Sequence, residues 1–394
     1  MLLRNCRLIP ELSGNPNFTM ADVAVEGDMI QSVAPAGAGL AAESVYDCQG
    51  HTLMPGLFDL HAHISIASAR EEPLDAMENL LQAMAWFGGY LKHGVTTIRD
   101  CGSSNRMAIP LRDAVKRGAV LGPDVVACGY MLGPQSMYQL GREMKMTMSI
   151  VDGADAFRAA AHRELSLGAD FVKIYASASG SQGLTKDSAP ILTSGEVRAA
   201  VEAAKAGGAY VAAHAHSLPA IRMCMEEGVR CIEHATFLDP AAADELAQMR
   251  GVYLVPTFAV LTPPDDGSRS PEELAAKEEL LHTAAANIRY AYEKGLSMGF
   301  GTDLINGRLE HFYKEFFYRH TLCGMSPVDI LLQATKYSAE IAGLSGVKGE
   351  IRPGMAADMI LVDGEPDKTL RVLEQPPICV WKRGTIVFST GGDI

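Results

Sequence analysis

Cations are scarce in this 394-residue chain: 34 Lys and Arg stand against 47 Asp and Glu, a formal charge of −13. A general nucleic-acid binder needs a basic surface for phosphate contacts, so that deficit excludes one. Long apolar runs are missing as well. No stretch reaches the roughly 18 apolar residues of a membrane span, and residues 1–14 carry Arg4, Asn5 and Arg7 where a signal peptide needs an apolar segment. A cytoplasmic protein without a membrane partner is the expectation. Closely spaced cysteines are also absent. Cys6, Cys48, Cys101, Cys128, Cys224, Cys231, Cys323 and Cys379 are scattered with no CxxC pair. That spacing disfavours a thiolate zinc site and a disulfide framework, and predicts buried, reduced thiols. What remains is 48% apolar and 21% charged residues, the profile of a well-buried globular protein.

Both ends of the chain read as short strands and turns. Leu2–Leu8 alternates, Asp22–Val25 and Met29–Val33 flank Glu26-Gly27-Asp28, and Ile378–Lys382 and Thr385–Ser389 flank Arg383-Gly384. Neither end is long enough to make its own core. They are expected to pair with each other as one small β domain, residues 1–55 plus 348–394. Between them, eight strand candidates alternate with helical runs. The strands are Gly56–His63, Val95–Asp100, Asp124–Cys128, Asp170–Ala176, Ala209–His214, Arg230–His234, Gly251–Thr257 and Ser297–Asp303. Helices are expected at Pro73–Leu91, Asp155–Leu167, Ser194–Ala206, Pro219–Glu227, Ala241–Met249 and Pro271–Lys294. The alternation implies parallel strands with crossover helices, and eight units point to a (β/α)8 TIM barrel over residues 56–347. Pattern alone leaves a doubly wound sheet open. Two loops stand out: the Met-rich Met131–Ile150, read as a binding wall or as a packed lid, and Thr262–Ser270, rich in Pro, Asp, Gly and Ser.

The chemistry sits at strand ends. His61 and His63 end the first strand, and residues two apart on a strand point the same way, so both imidazoles can reach one metal. His214, His234 and Asp303 end the fifth, sixth and eighth strands. The C-terminal face of a barrel holds active sites, and this donor set suits zinc first, with manganese, iron or cobalt as substitutes. Lys173 lies inside the fourth strand, in Asp170-Phe171-Val172-Lys173-Ile174-Tyr175. A bare ammonium pointing into the barrel beside cations is costly. Carboxylation by CO2 would turn it into an anion able to bridge two metals. Weaker candidates for substrate binding are His216, just past the fifth strand, and Tyr130, Tyr175 and Arg308, just after the third, fourth and eighth. Tyrosine and arginine there could hold a substrate carboxylate or polarise a carbonyl.

These residues stand in motifs that resemble the amidohydrolase superfamily, in its imidazolonepropionase-related and Xaa-Pro dipeptidase branch. The motifs are Met54-Pro55-Gly56-Leu57-Phe58-Asp59-Leu60-His61-Ala62-His63, Gly94-Val95-Thr96-Thr97-Ile98-Arg99-Asp100, Val172-Lys173-Ile174, Val211-Ala212-Ala213-His214-Ala215-His216, Ile232-Glu233-His234, Gly301-Thr302-Asp303 and Gly349-Glu350-Ile351-Arg352-Pro353-Gly354. The resemblance implies a barrel with a small β-sandwich built from both termini, and two divalent ions bridged by carboxylated Lys173. His61, His63 and Asp303 would hold one ion, and His214 and His234 the other. It implies an enzyme in which metal-activated hydroxide cleaves an amide bond and Asp303 acts as general base, then acid. A dipeptide of Xaa-Pro type or an N-acyl amino acid is the expected substrate. Cyclic-amide opening or deamination of imidazolonepropionase type is the alternative, with lactone, phosphoester or xenobiotic amide hydrolysis behind it. Two substrate-facing loops depart from the branch: Ala176-Ser177-Ala178-Ser179-Gly180 replaces a glycine-rich turn, and Met131–Met137 holds no histidine. Relatives commonly assemble, so a homo-oligomer is compatible with this reading.

Overall fold

The computed structural model describes residues 1–14, 17–65, 76–138, 148–179, 184–262, 270–304 and 309–391. Short strands open the chain: β1 (Leu2–Arg7), β2 (Met20–Glu26), β3 (Met29–Pro35), β4 (Val45–Asp47) and β5 (Thr52–Pro55). The middle carries parallel strands. β6 (Leu57–Ala62), β7 (Val95–Asp100) and β8 (Asp124–Ala127) form a three-stranded sheet. β9 (Leu132–Gly133), β10 (Ser149–Ile150), β11 (Val172–Tyr175), β12 (Val211–Ala215), β13 (Cys231–His234) and β14 (Tyr253–Val255) form a six-stranded one, ordered β10-β9-β11-β12-β13-β14. The chain then returns to its start. β15 (Met359–Val362) lies antiparallel on β5, followed by β16 (Cys379–Lys382) and β17 (Thr385–Ser389). The two ends thus share one eight-stranded sheet, ordered β17-β16-β15-β5-β1-β2-β3 with β4 beside β1. Its last hairpin turns at Arg383 and Gly384, whose φ values of 50° and 74° are both positive, as a two-residue type I′ turn requires.

Helices cover the parallel strands. Ser194–Ala206 is found at the expected residues, opened by a capping box in which Thr193 and Glu196 satisfy each other's backbone N–H. Pro271–Glu293 starts the same way from Ser270. Ala108–Lys116 and Phe312–Thr321 add to the expected helices. Outward strand residues such as Ile98, Val125, Ile174, Ala213 and Ile232 pack with Phe87, Phe157, Ala200, Ile221 and Ile288 in one large core. Inward residues Phe58, Leu60, Cys101, Phe171, Ala212, Cys231 and Val255 form a separate cluster beneath the strand ends. All eight cysteines are free and buried.

The eighth strand candidate, residues 297–303, differs from the expectation. It makes isolated parallel bridges, Met298 to Leu254 and Leu304 to Ala62, rather than a ladder. The reason lies in who accepts its N–H groups. Phe300 N donates to Ser338 Oγ at 3.1 Å and Thr302 N to Asp59 Oδ1 at 3.0 Å, so side chains replace strand carbonyls. A Cβ on Gly301 would lie 2.7 Å from Val255 and 2.9 Å from His61, a close approach that only glycine permits. Among the described residues no continuous ladder closes the parallel strands into a ring. Isolated hydrogen bonds cross the two gaps, among them Leu60 N to Phe300 O at 2.8 Å and Asp303 N to His61 O at 2.7 Å on one side, and Asp170 N to Ala127 O at 2.7 Å on the other.

Three buried charges, Lys348, Asp358 and Lys382, and the half-buried Asp124 join the terminal sheet to the parallel strands. Lys348 bonds both Asp124, at the start of β8, and Asp358, while Lys382 Nζ lies 2.8 Å from Asp124 and 2.9 Å from Asp358. Burial alone would raise the Asp124 carboxyl, but the two ammonium groups outweigh it and hold the pKa down at about 2. An aspartate held below its unfolded value of about 3.9 contributes stability that is complete above that value and is lost as pH falls toward the folded value. Stability should therefore drop by on the order of 2 kcal/mol between about pH 5 and pH 2 from this group. Denaturant unfolding of the parent and of Asp124→Asn checks this. The variant should start lower at pH 7 and lose less on acidification, and equal acid losses would count against the cluster.

Candidate metal centre

Strand alternation alone would not bring both His61 and Leu60 inward. β6 carries a register shift between Asp59 and Ala62, and such a bulge re-aims the residues that follow. Phe58 and Leu60 stay in the inner cluster, while His61 and His63 turn toward Asp303. His61 Nε2 lies 3.6 Å and His63 Nε2 3.2 Å from Asp303 Oδ1. β12 brings in His214, and β13 His234. The rings of His61 and His234 are 4.7 Å apart, and those of His214 and His234 4.6 Å. His234 and Asp303 adopt left-handed backbone, φ 68° and 54°. Such conformations in non-glycine residues cost on the order of 1–3 kcal/mol and concentrate at functional sites. At His234 the left-handed turn breaks alternation, so that Glu233 and His234 both face the centre.

Each ring has one nitrogen engaged away from the centre. His61 Nδ1 contacts Glu233 Oε2 at 2.7 Å, His63 Nδ1 the Gly102 carbonyl at 2.9 Å, and His234 Nδ1 Thr257 Oγ1 at 2.7 Å. His214 Nε2 faces the Ala178 carbonyl at 3.4 Å. A donor bond to a carboxylate or carbonyl places the proton on that nitrogen, leaving the other with its lone pair. Burial, helped by neighbouring rings and Lys173, pushes His61, His214 and His234 well below the ordinary imidazole pKa. They are neutral, as ligation requires. For His63 burial acts the same way, but Asp303 outweighs it and the net shift is upward.

Lys173 is fully buried on β11, with Cα opposite Ala212 of β12, and its Nζ has no hydrogen-bond partner. His234 Nε2 is likewise buried and unpartnered. Unsatisfied buried polar atoms are rare and call for an absent group. The donor atoms of His214, His216 and His234, and of His61, His234 and Asp303, lie within 4.8 Å of one another and could hold metal. Neutral imidazoles, a carboxylate and an orphaned lysine nitrogen around one space fit divalent ions.

The weaker candidates separate. His216 joins the cluster, its ring stacked on His234 at 4.4 Å and its Nδ1 bonded to Thr236 Oγ1 at 2.7 Å. Burial lowers its pKa to about 4 against the opposing pull of Asp303. Tyr175 stacks on His214 at 4.3 Å, and Met131 and Met137 pack behind it. The described part of the Met-rich loop is thus a packed wall. Tyr130 is engaged elsewhere, beneath the Arg106 guanidinium at 3.7 Å, which in turn pairs with buried Glu164. Arg308, Gly180, Met144, Met146, residues 263–269 and the start of the Pro73–Leu91 helix lie outside the described residues. Sequence reading passed over Glu233 and Arg99. Their signal was a charged residue inside an otherwise apolar strand, within motifs quoted above.

Residues 52–387 match the amidohydrolase family. The chain belongs to that family and is a hydrolase; members bind metal ions and act on small-molecule substrates. Its relatives include the ochratoxinase of Aspergillus niger, 24% identical over 377 residues that cover 86% of this chain and 76% of that protein. A solved prolidase complexed with N-methylphosphonate-L-proline is 26% identical with a TM-score of 0.86, covering 99% of both chains. A Xaa-Pro dipeptidase with methionine bound in its active site is 28% identical, TM-score 0.84, covering 98% of each.

Proposed function

We propose that this chain hydrolyses an amide bond in a dipeptide of Xaa-Pro type or an N-acyl amino acid, at a binuclear centre bridged by carboxylated Lys173. The observation that carries it is the buried, unpartnered Nζ of Lys173 among four histidines whose free nitrogens face the same space as Asp303. An uncompensated buried ammonium costs far more than the roughly 1–3 kcal/mol of an ordinary unsatisfied group. Attack of the neutral amine on CO2 forms an N–C bond and releases a proton, replacing the cation by an anion suited to bridge two cations. His61, His63 and Asp303 would hold one ion and His214 and His234 the other, with zinc the best match to the donors. When bound, the pair would acidify the attacking water and polarise the scissile carbonyl. Asp303 takes the water proton and delivers it to the leaving nitrogen. Tyr175 and the methionines behind it wall the site from solvent. The proposed frame is an eight-stranded barrel over residues 56–347, closed across the two gaps, with a small β-sandwich of residues 1–55 and 348–394. Family likeness supports both.

The substrate class rests on the solved prolidase and dipeptidase relatives and on His216, whose outer nitrogen is free to meet a substrate carboxylate. Paired substrates test it: an Xaa-Pro dipeptide with a free carboxylate against its amide. Faster cleavage of the free acid is expected, and His216→Asn should raise KM for the acid by roughly tenfold or more while leaving kcat nearer the parent value. Equal turnover of both substrates would move the reading to cyclic amides, lactones or xenobiotic amides, with the metal chemistry intact.

A further inference from the structure

Of the four histidines assigned to metal, one leans on an ion. His63 and His214 face backbone carbonyls and His234 a threonine hydroxyl, whereas His61 Nδ1 meets the Glu233 carboxylate at 2.7 Å. Behind Glu233, Oε1 accepts from Arg99 Nη2 at 2.6 Å, and Arg99 Nε donates to the Leu60 carbonyl at 2.6 Å, one residue before His61. Arg99 and Glu233 are wholly buried, and the guanidinium carbon lies 5.3 Å over the Phe171 ring. Such a pair is poor evidence of stabilisation, because the cost of desolvating two ions offsets much of their attraction. Its geometry serves another end. A carboxylate on Nδ1 fixes the ring's rotation, keeps the proton off Nε2, and makes Nε2 the stronger donor. Arg99 neutralises that carboxylate and ties it to the strand that carries His61.

We infer that Glu233 and Arg99 are positioning residues that set the metal affinity of the position held by His61, and not that of the position held by His214 and His234. This rests on the binuclear reading above. Other groups stand close to the pair: Cys101 lies within reach of both His61 and Glu233, its thiol pushed up to about 12 by burial, and Lys173, Tyr210 and Cys231 lie nearby.

The probe is Co2+ alone, loaded into the full chain and withdrawn by a competing chelator, with the visible cobalt bands recorded for each step. Glu233→Gln keeps an acceptor for His61 but strands Arg99, so Arg99→Met with Glu233→Gln removes both charges together. The expected result for the double variant is a 10- to 100-fold weaker affinity, the usual effect of losing such a partner, confined to one cobalt class. Its bands should shift while those of the other class stay put. Thr257→Val, behind His234, should act on the other class. A folded double variant with both affinities and spectra unchanged overturns the inference and leaves the binuclear reading standing. So does a double variant that no longer folds, which would make the pair structural. A parent protein that takes up no cobalt at all overturns the binuclear reading itself, and this inference with it.

Discussion

Lys173→Ala is expected to lose activity by roughly 10³-fold or more, since the bridged ions are asked for several kcal/mol and each decade of rate is 1.36 kcal/mol. Bound metal should fall below that of the parent. Short carboxylic acids such as formate or propionate should restore part of both, and reconstitution of the parent should need bicarbonate. The same position makes a second, opposite forecast. Lys173 Nζ is buried without a partner, so Lys173→Met should make the apoprotein more stable, by at least the roughly 1–3 kcal/mol of an unsatisfied buried group. Denaturant unfolding of both apoproteins, beside metal analysis and dipeptide turnover of the reconstituted forms, separates the two effects. Full activity of Lys173→Ala without added acid would end the bridging role.

Asp303→Asn should lower kcat by roughly 10²–10⁴-fold, the range for a lost general base, with KM and metal content changed far less. The backbone makes asparagine the right substitute. Asp303 sits at φ 54°, and Asn tolerates that left-handed region about as well as Asp. Its N–H bond to the His61 carbonyl at 2.7 Å would persist. Asp303→Ala removes the base and adds backbone strain of about 1–2 kcal/mol, so it should lose stability where Asp303→Asn does not. Steady-state kinetics with thermal unfolding of both variants checks the split. If Asp303→Asn raises KM while kcat holds, the carboxylate binds substrate rather than moving a proton.

Periodicity made much of the frame legible. Val95–Asp100 and Ser194–Ala206 fall at the expected residues because their local signals, a β-branched run and a capped amphipathic helix, agree with their tertiary setting. The pairing of the two ends was also readable, since neither could bury a core alone. Residues 297–303 were not readable as they are. Their N–H groups go to Asp59 and Ser338, residues far away in the chain, and no local pattern announces that.

The sequence by itself supplied the candidate donors: two histidines at alternate positions, single histidines and an aspartate at later strand ends, and a lysine within an apolar strand. Those follow from residue type and from their place at strand ends. Only the tertiary structure decided which groups stand behind them. A bulge in β6 and left-handed backbone at His234 break strict alternation, so His234 faces the centre beside Glu233, which ordinary alternation already turns inward with Cys231. Arg99 comes from β7, in a different sheet from β13, and its partnership with Glu233 exists because their inward side chains meet in the interior. Such partnerships depend on long-range packing and backbone irregularity, neither of which has a period to read.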